Sequence, residues 1–571
     1  MRRRNFIGLI GVGATATMAG IPRPVMAAVE RITSPEGQQV MNADVVIAGA
    51  GLGGFAAAMS SLQNGQTVVL TEETDWIGGQ ITQQGVPPDE HYWIETHGAT
   101  KLYRDFRNGV REYYKKKYPL TEEAGQKTNL NPGNGTVSKL CHEPRVALAV
   151  LNDMIAPYLS AGKLVLLLEH KIKSASVNGV RVSSVVVKSL RTGKETTLTA
   201  PYFVDATETG ELLPLTGTEY VTGTESKSQT NELHAPAVAN PKNNQAFTMC
   251  FAIDYVPGEN HVIERPKDYE FWKDYIPQMS PAWPGRMLEL HYSDPRTLKP
   301  KNLGFHPEGI PTGDLLNLWN YRKIIDRNNF KAGFYKGDIT IVNWPQNDYV
   351  LGDLISSSEK DFKKHVDHAK QLSLSLLYWL QTEAPRPDGG KGFSGVRLRK
   401  DVLGTEDGLA KYPYIRESRR IKAVFTVLEE HVGSENRALV AKAGEDKSKA
   451  AHFYDSVGIG YYHIDLHPSS AGANYVDFGS LPFQIPLGAL IPVRMENILP
   501  ANKNIGTTHI TNGCYRLHPV EWSIGEAVGL LIKFATDKKV TPGKVRADQS
   551  LLSEFQGYIR KQGIETEWPV R

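Results

Sequence analysis

Chemistry-bearing side chains gather in a few short stretches of the chain. In "CYRLHPVEWSIGEAVGLLIKFA", Arg516 and His518 stand just ahead of a helical run whose first turn suits Pro519, a residue with no N–H to lose there. An imidazole titrates near neutral pH, so His518 reads either as a general base for a hydroxyl or amine proton or as a hydrogen-bonded, capping histidine. Arg516 reads either as a substrate-side cation or as the ion-pair partner of an acid such as Glu521. "PYIRESRRI" supplies Arg416, Arg419 and Arg420 beside Glu417, and such crowding needs anions: a substrate carboxylate, cofactor phosphates, or acids across a solvated face or domain boundary. His91 lies among Asp89, Glu90, Tyr92 and Trp93, a concentration of hydrogen-bonding and stacking groups whose plain alternative is a surface loop. "YYHIDLHP" sets His463, Asp465 and His467 at alternate positions, on one face of a strand; with no further ligand indicated nearby, no metal site is expected. Neither G-x-S-x-G nor H-E-x-x-H occurs, which leaves hydrolase chemistry without a motif. Cys141, Cys250 and Cys514 are far apart, which excludes a disulfide framework, a cysteine-ligated iron–sulfur cluster and a paired-thiol site as the organising chemistry. Any electron transfer must use an organic cofactor.

The elements that must position these groups begin with "DVVIAGAGLGGFAAAM". An apolar strand (Val45 to Ala48) breaks into glycine, resumes as a small-residue helix (about Gly53 to Gln63), stops at Gly65 and returns as a second strand (Thr67 to Thr71). Each glycine in regular structure costs about 0.5–1 kcal/mol relative to alanine, so the space must have a use. Gly49, Gly51 and Gly54 fit G-x-G-x-x-G in the strand–turn–helix context that gives it meaning: a tight turn, backbone access to a pyrophosphate, and close helix–strand packing, with Gly53 in the same turn. The helix N-terminus offers free N–H groups and partial positive charge to the phosphates. Glu72 ends the second strand 23 positions after Gly49, near the roughly 20-residue spacing of an acid that binds an adenosine ribose.

Three further pieces carry a resemblance. "TDWIGGQITQQG", with Gly78, Gly79 and Gln80, resembles the loop that large flavoproteins lay against the FAD pyrophosphate and ring. A β-meander with an Asn178-Gly179 turn leads into a strand ending "YFVDAT", and the C-terminal piece runs "ENILPANKNIGTTHITNGCYRLHPVEWSIGEAVGLLIKFA". Together they resemble the FAD-dependent oxidoreductases related to the fumarate reductase and succinate dehydrogenase flavoproteins, from about Ala43 to Ala535. The resemblance implies FAD as cofactor, with contacts at Gly78, Gly79, Gln80, Arg145, Ile172, Ala206, Thr207 and Pro519 beside the glycines and Glu72. It places the helix that starts near Pro519 at the pyrimidine side of the flavin, where its dipole favours the reduced, negatively charged ring. It makes Arg516, Arg416, His518 and His91 the catalytic candidates. Two departures stand out: "PANKN" where relatives more often read A-G-R, and "DATETG" in place of D-A-T-G.

The organisation that follows is an α/β fold: a Rossmann-like FAD-binding domain with a β-meander, discontinuous over residues 40–215 and 490–571, and an inserted α+β substrate or cap domain over 216–489. Two helices are expected in that insertion, in "DFKKHVDHAKQLSLSLLYWLQTE" and "IKAVFTVLEEHV". Residues 1–28 read as a twin-arginine export signal, with Arg3 and Arg4, an apolar stretch too short to span a bilayer, and small residues near Ala28. Its removal takes four arginines and no acid from a chain of net charge +3, leaving −1, so neither nucleic acid nor an anionic surface is indicated as partner. The mature chain shows one dinucleotide fingerprint and no membrane-spanning segment. The expected activity is that of a periplasmic or secreted dehydrogenase of a polar small molecule (an alcohol, sugar derivative or hydroxy acid) that passes electrons to a quinone, cytochrome or oxygen. The alternatives are a fumarate-reductase-like C=C reductase and a non-catalytic binding protein with a vestigial nucleotide domain.

Overall fold

The computed structural model describes residues 28–33 and 39–569. The signal expected over residues 1–28 lies, but for Ala28, outside the described residues. The fold is built on five parallel strands: β1 (Val45–Ala48), β2 (Val68–Glu72), β3 (Leu164–Leu168), β4 (Tyr202–Asp205) and β5 (Ile498–Pro500). They lie in the order β5-β4-β1-β2-β3, so the C-terminal third supplies an edge strand to a sheet begun by the N-terminal residues. The runs VVIA and YFVD are buried along their whole length, as parallel strands covered on both faces must be.

Successive side chains point to opposite faces, and the core divides accordingly. Val45, Ile47, Val68, Leu70 and Val204 face helices. Val46, Ala48, Val69, Val165, Phe203 and Ile498 face a second sheet through Val182, Val185, Val187 and Leu198. That second sheet contains the expected meander, His170–Asn178, Arg181–Ser189 and Glu195–Thr199, extended by Gln39–Asn42 and Glu30–Thr33. Asn178 pairs with Arg181, so the hairpin turn is Gly179-Val180, one residue later than the Asn-Gly reading, with Gly179 at φ +60°.

On the helical face α1 (Leu52–Gln63) lies against α2 (His518–Lys538) at backbone contact. A Cβ at Gly525 would stand 1.9 Å from the Gly53 carbonyl oxygen, and one at Gly529 2.1 Å from Ser60 Oγ. Small residues along both helices therefore bring the glycine turn and the start of α2 together.

In the inserted region a four-stranded antiparallel sheet (Lys323–Ile325, Ile339–Val342, Phe251–Tyr255, Val396–Leu398) accompanies a long helix, Glu359–Thr382, which buries Leu372, Leu376, Leu377 and Leu380. The second expected helix is replaced by extended chain. Only Glu429–Val432 is helical, because the Val424, Phe425 and Val427 N–H groups donate to carbonyls of Ile491, Gly488 and Gly506. Apolar spacing suggested a helix there; long-range backbone pairing decides otherwise. Among the described residues no helix is long and apolar enough to cross a membrane.

Candidate functional site

Gly49 adopts φ +91°, and a Cβ there would sit 2.3 Å from the Ala206 carbonyl oxygen, so only glycine makes this turn. Gly51 differs. Its φ is −63°, and the nearest atom to a Cβ would be Glu208 Oε1 at 3.3 Å. No backbone atom blocks a side chain at Gly51; only the flexible end of Glu208 stands close, so its bareness keeps the helix N-terminus approachable, as a pyrophosphate contact would need. Gly54 would meet the Gly49 carbonyl oxygen at 1.9 Å, as close helix–strand packing requires. Gly53 belongs to the α1–α2 packing: its Cβ would strike the Ala501 carbonyl oxygen at 1.6 Å. It faces protein and not cofactor, which corrects the expectation of a contact.

The turn opens onto a cleft lined by Gly49, Gly51, Glu72, Ile172, Ala206 and Thr207, together with Lys171 and Tyr412. Glu72 Oε2 accepts from the Ala50 N–H at 3.0 Å, and Oε1 from the Thr74 N–H at 3.0 Å and Gln83 Nε2 at 3.0 Å. Burial raises its carboxyl to about 7 against these hydrogen bonds. Asp205 fixes the "DAT" turn by accepting from the Thr207 N–H and hydroxyl and from the Leu212 N–H.

The second bare stretch meets the first. A Cβ on Gly79 would lie 2.9 Å from Gly51 Cα, and the Gly78 N–H donates to the Ala50 carbonyl at 2.7 Å. Beside them Lys503, fully buried, reaches Glu208 Oε2 at 2.5 Å and Glu521 Oε1, in the first turn of α2, at 3.6 Å. Both departures from the family pattern therefore face one another: Glu208 of "DATETG" and Lys503 of "PANKN" are an ion pair. Leu517 caps α2 without a side-chain hydrogen bond, with Pro519 in the first turn, so the positive helix end keeps its field for a cofactor.

The loop after Gly79 fits an isoalloxazine ring. Gln80 Oε1, Gln83 Oε1 and both amide atoms of Gln84 are buried without a partner in the chain, which is costly unless a bound group supplies one. Gln80 Nε2 donates to the Arg516 carbonyl at 3.1 Å and so ties this loop to the chain ahead of α2.

Next to it lies a second cavity, of about 180 Å³, lined by Arg322, Arg416, Arg516, Asp89, Asp465, Asp477, His463 and His467, by Tyr414, Tyr462 and other tyrosines, and by Trp344. Its charges are paired. Arg322 Nη1 lies 3.3 Å from Asp89 Oδ1, Arg416 Nη2 3.1 Å from Asp348 Oδ1, and Arg516 Nη2 3.1 Å from Asp465 Oδ2. His467 bridges two of these acids, with Nδ1 2.6 Å from Asp348 and Nε2 3.6 Å from Asp465. His463 Nδ1 lies 3.0 Å from Asp477 Oδ1, which leaves Nε2 to accept a proton. Burial would lower the His463 pKa, but the Asp477 hydrogen bond and the Asp465 charge outweigh it and raise it above 6.5. Each of the three arginines keeps a buried, unpartnered Nε–H, a neutral-acceptor site in a charge-balanced wall.

Sequence-based candidates divide sharply around this cavity. Arg416 and Arg516 line it, and Arg516 pairs with Asp465 across 51 residues of chain and not with Glu521. Arg419 and Arg420 turn away, the first to the Thr209 carbonyl and the second to Glu225 and Glu417, so the three arginines form no common clamp. His518 is fully buried; its Nδ1 accepts the Asp89 N–H at 3.0 Å and burial lowers its pKa to about 4. With that lone pair engaged it cannot take a substrate proton, and the hydrogen-bonded reading holds. His91 Nε2–H donates to the Gly98 carbonyl at 3.0 Å and the ring packs between Trp93 and Trp568, outside the cavity. Arg145 is exposed, stacked over Trp76 and bonded to the Asp401 carbonyl, away from the cofactor cavity. His463, Tyr462 and Arg322, which face the cavity, were signalled only by the alternation of "YYHIDLH" or not at all.

A family model described as FAD dependent oxidoreductase matches residues 44–557. No curated protein matches the sequence. Solved structures similar to the chain include the 3-ketosteroid-delta4-(5alpha)-dehydrogenase of Rhodococcus jostii RHA1 (17% identity, 29% of this chain and 46% of that one, TM-score 0.20). They include the OxyS anhydrotetracycline hydroxylase of Streptomyces rimosus (10% identity, 91% and 66%, TM-score 0.33). They also include the quinol fumarate reductase FrdA of E. coli (10% identity, 92% and 74%, TM-score 0.31). The chain spans less than half the length of the first of these. With its parallel sheet, glycine turn and cofactor loop matched from end to end by that family model, the chain belongs to the FAD-dependent oxidoreductase family, and FAD is its cofactor.

Proposed function

We propose that the protein is an exported FAD-dependent dehydrogenase that oxidises a neutral hydroxylated small molecule, an alcohol or sugar derivative, and passes the electrons to a quinone, cytochrome or oxygen. The observation that carries this reading is the pairing of every cavity arginine with an aspartate. A carboxylate substrate would have to compete with these aspartates for the arginines and add a further negative charge to a buried wall whose charges already balance, a penalty of several kcal/mol in order of magnitude. A hydroxyl needs no such exchange. It can accept from a free arginine Nε–H and donate to an aspartate or histidine, while the tyrosines cover its apolar faces. A hydroxy acid is therefore the least favoured of the expected substrates.

Bound FAD would supply the two-electron acceptor for the hydride of the carbinol carbon. The chain's own part is proton handling and orientation. His463 Nε2 takes the hydroxyl proton, and Asp477 holds the imidazole in the tautomer that leaves Nε2 free and stabilises the imidazolium that forms. Arg516 and Tyr414, joined at 3.0 Å, orient the substrate from the cofactor side. The C=C-reductase alternative needs an arginine to give up a proton. Burial would ease that loss at Arg516, but Tyr414 and Asp465 beside it raise the pKa further above its ordinary value.

The domain division is part of the proposal, supported by the placement of β5 in the sheet begun by β1. Export rests on the arginine-led N-terminus. Anaerobic mixing of the FAD-loaded protein with neutral polyols and aldoses on one hand, and hydroxy acids on the other, tests the substrate class. Bleaching of the yellow flavin band by the neutral set supports it; bleaching by the acids alone overturns it.

A further inference from the structure

Behind the wall of the substrate cavity lies a second concavity that the oxidoreductase chemistry does not use. Tyr461 lines it while the next residue, Tyr462, lines the cavity, so one stretch of backbone separates the two. Its floor is aromatic. Trp93 lies 3.8 Å from Tyr92, 5.3 Å from Tyr461 and 5.5 Å from Trp568, ring centre to ring centre, and Tyr92 is 61% exposed. The groove has a volume of about 740 Å³ and is rimmed by Asp446, Ser448, Lys449, His452, Ser480 and Glu567.

Aromatic faces beside water-accessible polar groups set the chemistry of the occupant. A lipid or quinone tail would cover the rings but would make no use of the polar rim, where Asp446, Ser448, Lys449, His452, Ser480 and Glu567 offer hydrogen-bonding groups. A peptide rich in cations would suit the carboxylates but meets Lys449 on the same rim. A pyranose ring suits both: its C–H face is apolar and flat enough to stack on indole or phenol, and its hydroxyls radiate from the edge toward carboxylate, hydroxyl, imidazole and ammonium groups. At about 740 Å³ the groove falls in the upper part of the range of small-ligand clefts, roughly 300–1,000 Å³, and has room for more than one sugar unit. We propose that this groove is a second binding site, for a neutral oligosaccharide stacked on Tyr92, Trp93, Tyr461 and Trp568. It would hold a glycan chain at the outer side of the wall whose inner side faces the reacting substrate.

The groove is tested by binding and not by turnover, which separates it from the proposed activity. The FAD-loaded protein is titrated calorimetrically with gluco-, manno- and xylo-hexasaccharides. At least one is expected to bind, and Tyr92→Ala, at an exposed position that does not threaten folding, is expected to weaken it about tenfold while flavin absorbance and melting temperature stay unchanged. Trp568→Phe, which keeps a ring, is expected to weaken it less. Failure of all the hexasaccharides to bind overturns the proposal. So does binding that survives Tyr92→Ala but disappears in His463→Asn, which would put the sugar in the cavity.

Discussion

Replacing Gly51 by alanine separates cofactor space from packing space, because its neighbour Gly53 provides the opposite case two residues away. At Gly51 the backbone angles, φ −63° and ψ −172°, are open to alanine, and the closest atom to the new Cβ is the end of the Glu208 side chain at 3.3 Å. The fold should hardly respond: about 0.4–1 kcal/mol gained from the stiffer unfolded chain offsets a similar loss at the helix cap. FAD should respond strongly, since a methyl group would stand between the turn's N–H groups and the phosphates. Each hydrogen bond to a charged acceptor contributes about 1.5–3 kcal/mol, so losing one raises Kd roughly 10- to 150-fold. At Gly53 the new Cβ would lie 1.6 Å from the Ala501 carbonyl oxygen and 3.1 Å from that of Glu521, both backbone, and α1 must separate from α2 and β5. Overpacking of this kind costs about 1–3 kcal/mol or more whether or not FAD is present. Thermal melts of the cofactor-free proteins, with and without added FAD, resolve the two. Gly51→Ala should melt like wild type alone and gain little from FAD, whereas Gly53→Ala should melt lower in both conditions. Wild-type FAD affinity in Gly51→Ala would refute the placement of the pyrophosphate.

Three other outcomes follow from the same geometry. The rate of flavin reduction should rise with pH through a value above 6.5, because the base works only when neutral and its partners raise the His463 pKa; Asp477→Asn should move that rise to lower pH in a pH–rate profile. Burial raises Glu526 to about 7 from an ordinary 4.5, so its protonated form favours the folded state: that stability is complete below pH 4.5 and lost as pH passes 7. Its share is at most about 3 kcal/mol, and chemical denaturation from pH 4 to 8 should show a flatter profile for Glu526→Gln. Arg516→Met leaves Asp465 with His467 as its remaining partner and should lower stability by roughly 1.5–3 kcal/mol, with Asp465→Asn restoring a measurable part in denaturant melts.

What the sequence made legible was what is local. The turn from Val45 to Glu72 is one contiguous unit in which Gly49 takes a left-handed φ and Gly54 packs on the Gly49 carbonyl, so the cofactor end of the site could be read directly, Gly53 excepted. Its exception is instructive, because only the path of α2, more than 450 residues away, shows that Gly53 and Gly525 are spent on helix contact. The substrate cavity is the opposite case. Asp89, Arg322, Arg416, Asp465 and Arg516 come from widely separated segments, and no spacing announces that each arginine meets an aspartate there. His518 looked like a base because it precedes a helix beside an arginine. Its lone pair is taken by a backbone N–H 429 residues distant, a contact only the fold creates. The stretch from Ile421 to Val432 had a helical apolar period, yet its N–H groups find carbonyls near residues 488–506, and tertiary pairing overrides local propensity.

The central assignment is that His463 accepts the substrate proton as hydride leaves. Anaerobic stopped-flow reduction of the FAD-loaded enzyme by its best neutral hydroxylated substrate measures this in a single turnover. His463→Asn should keep its flavin and slow reduction by about 10²- to 10⁴-fold at neutral pH; reduction at the wild-type rate would contradict the account.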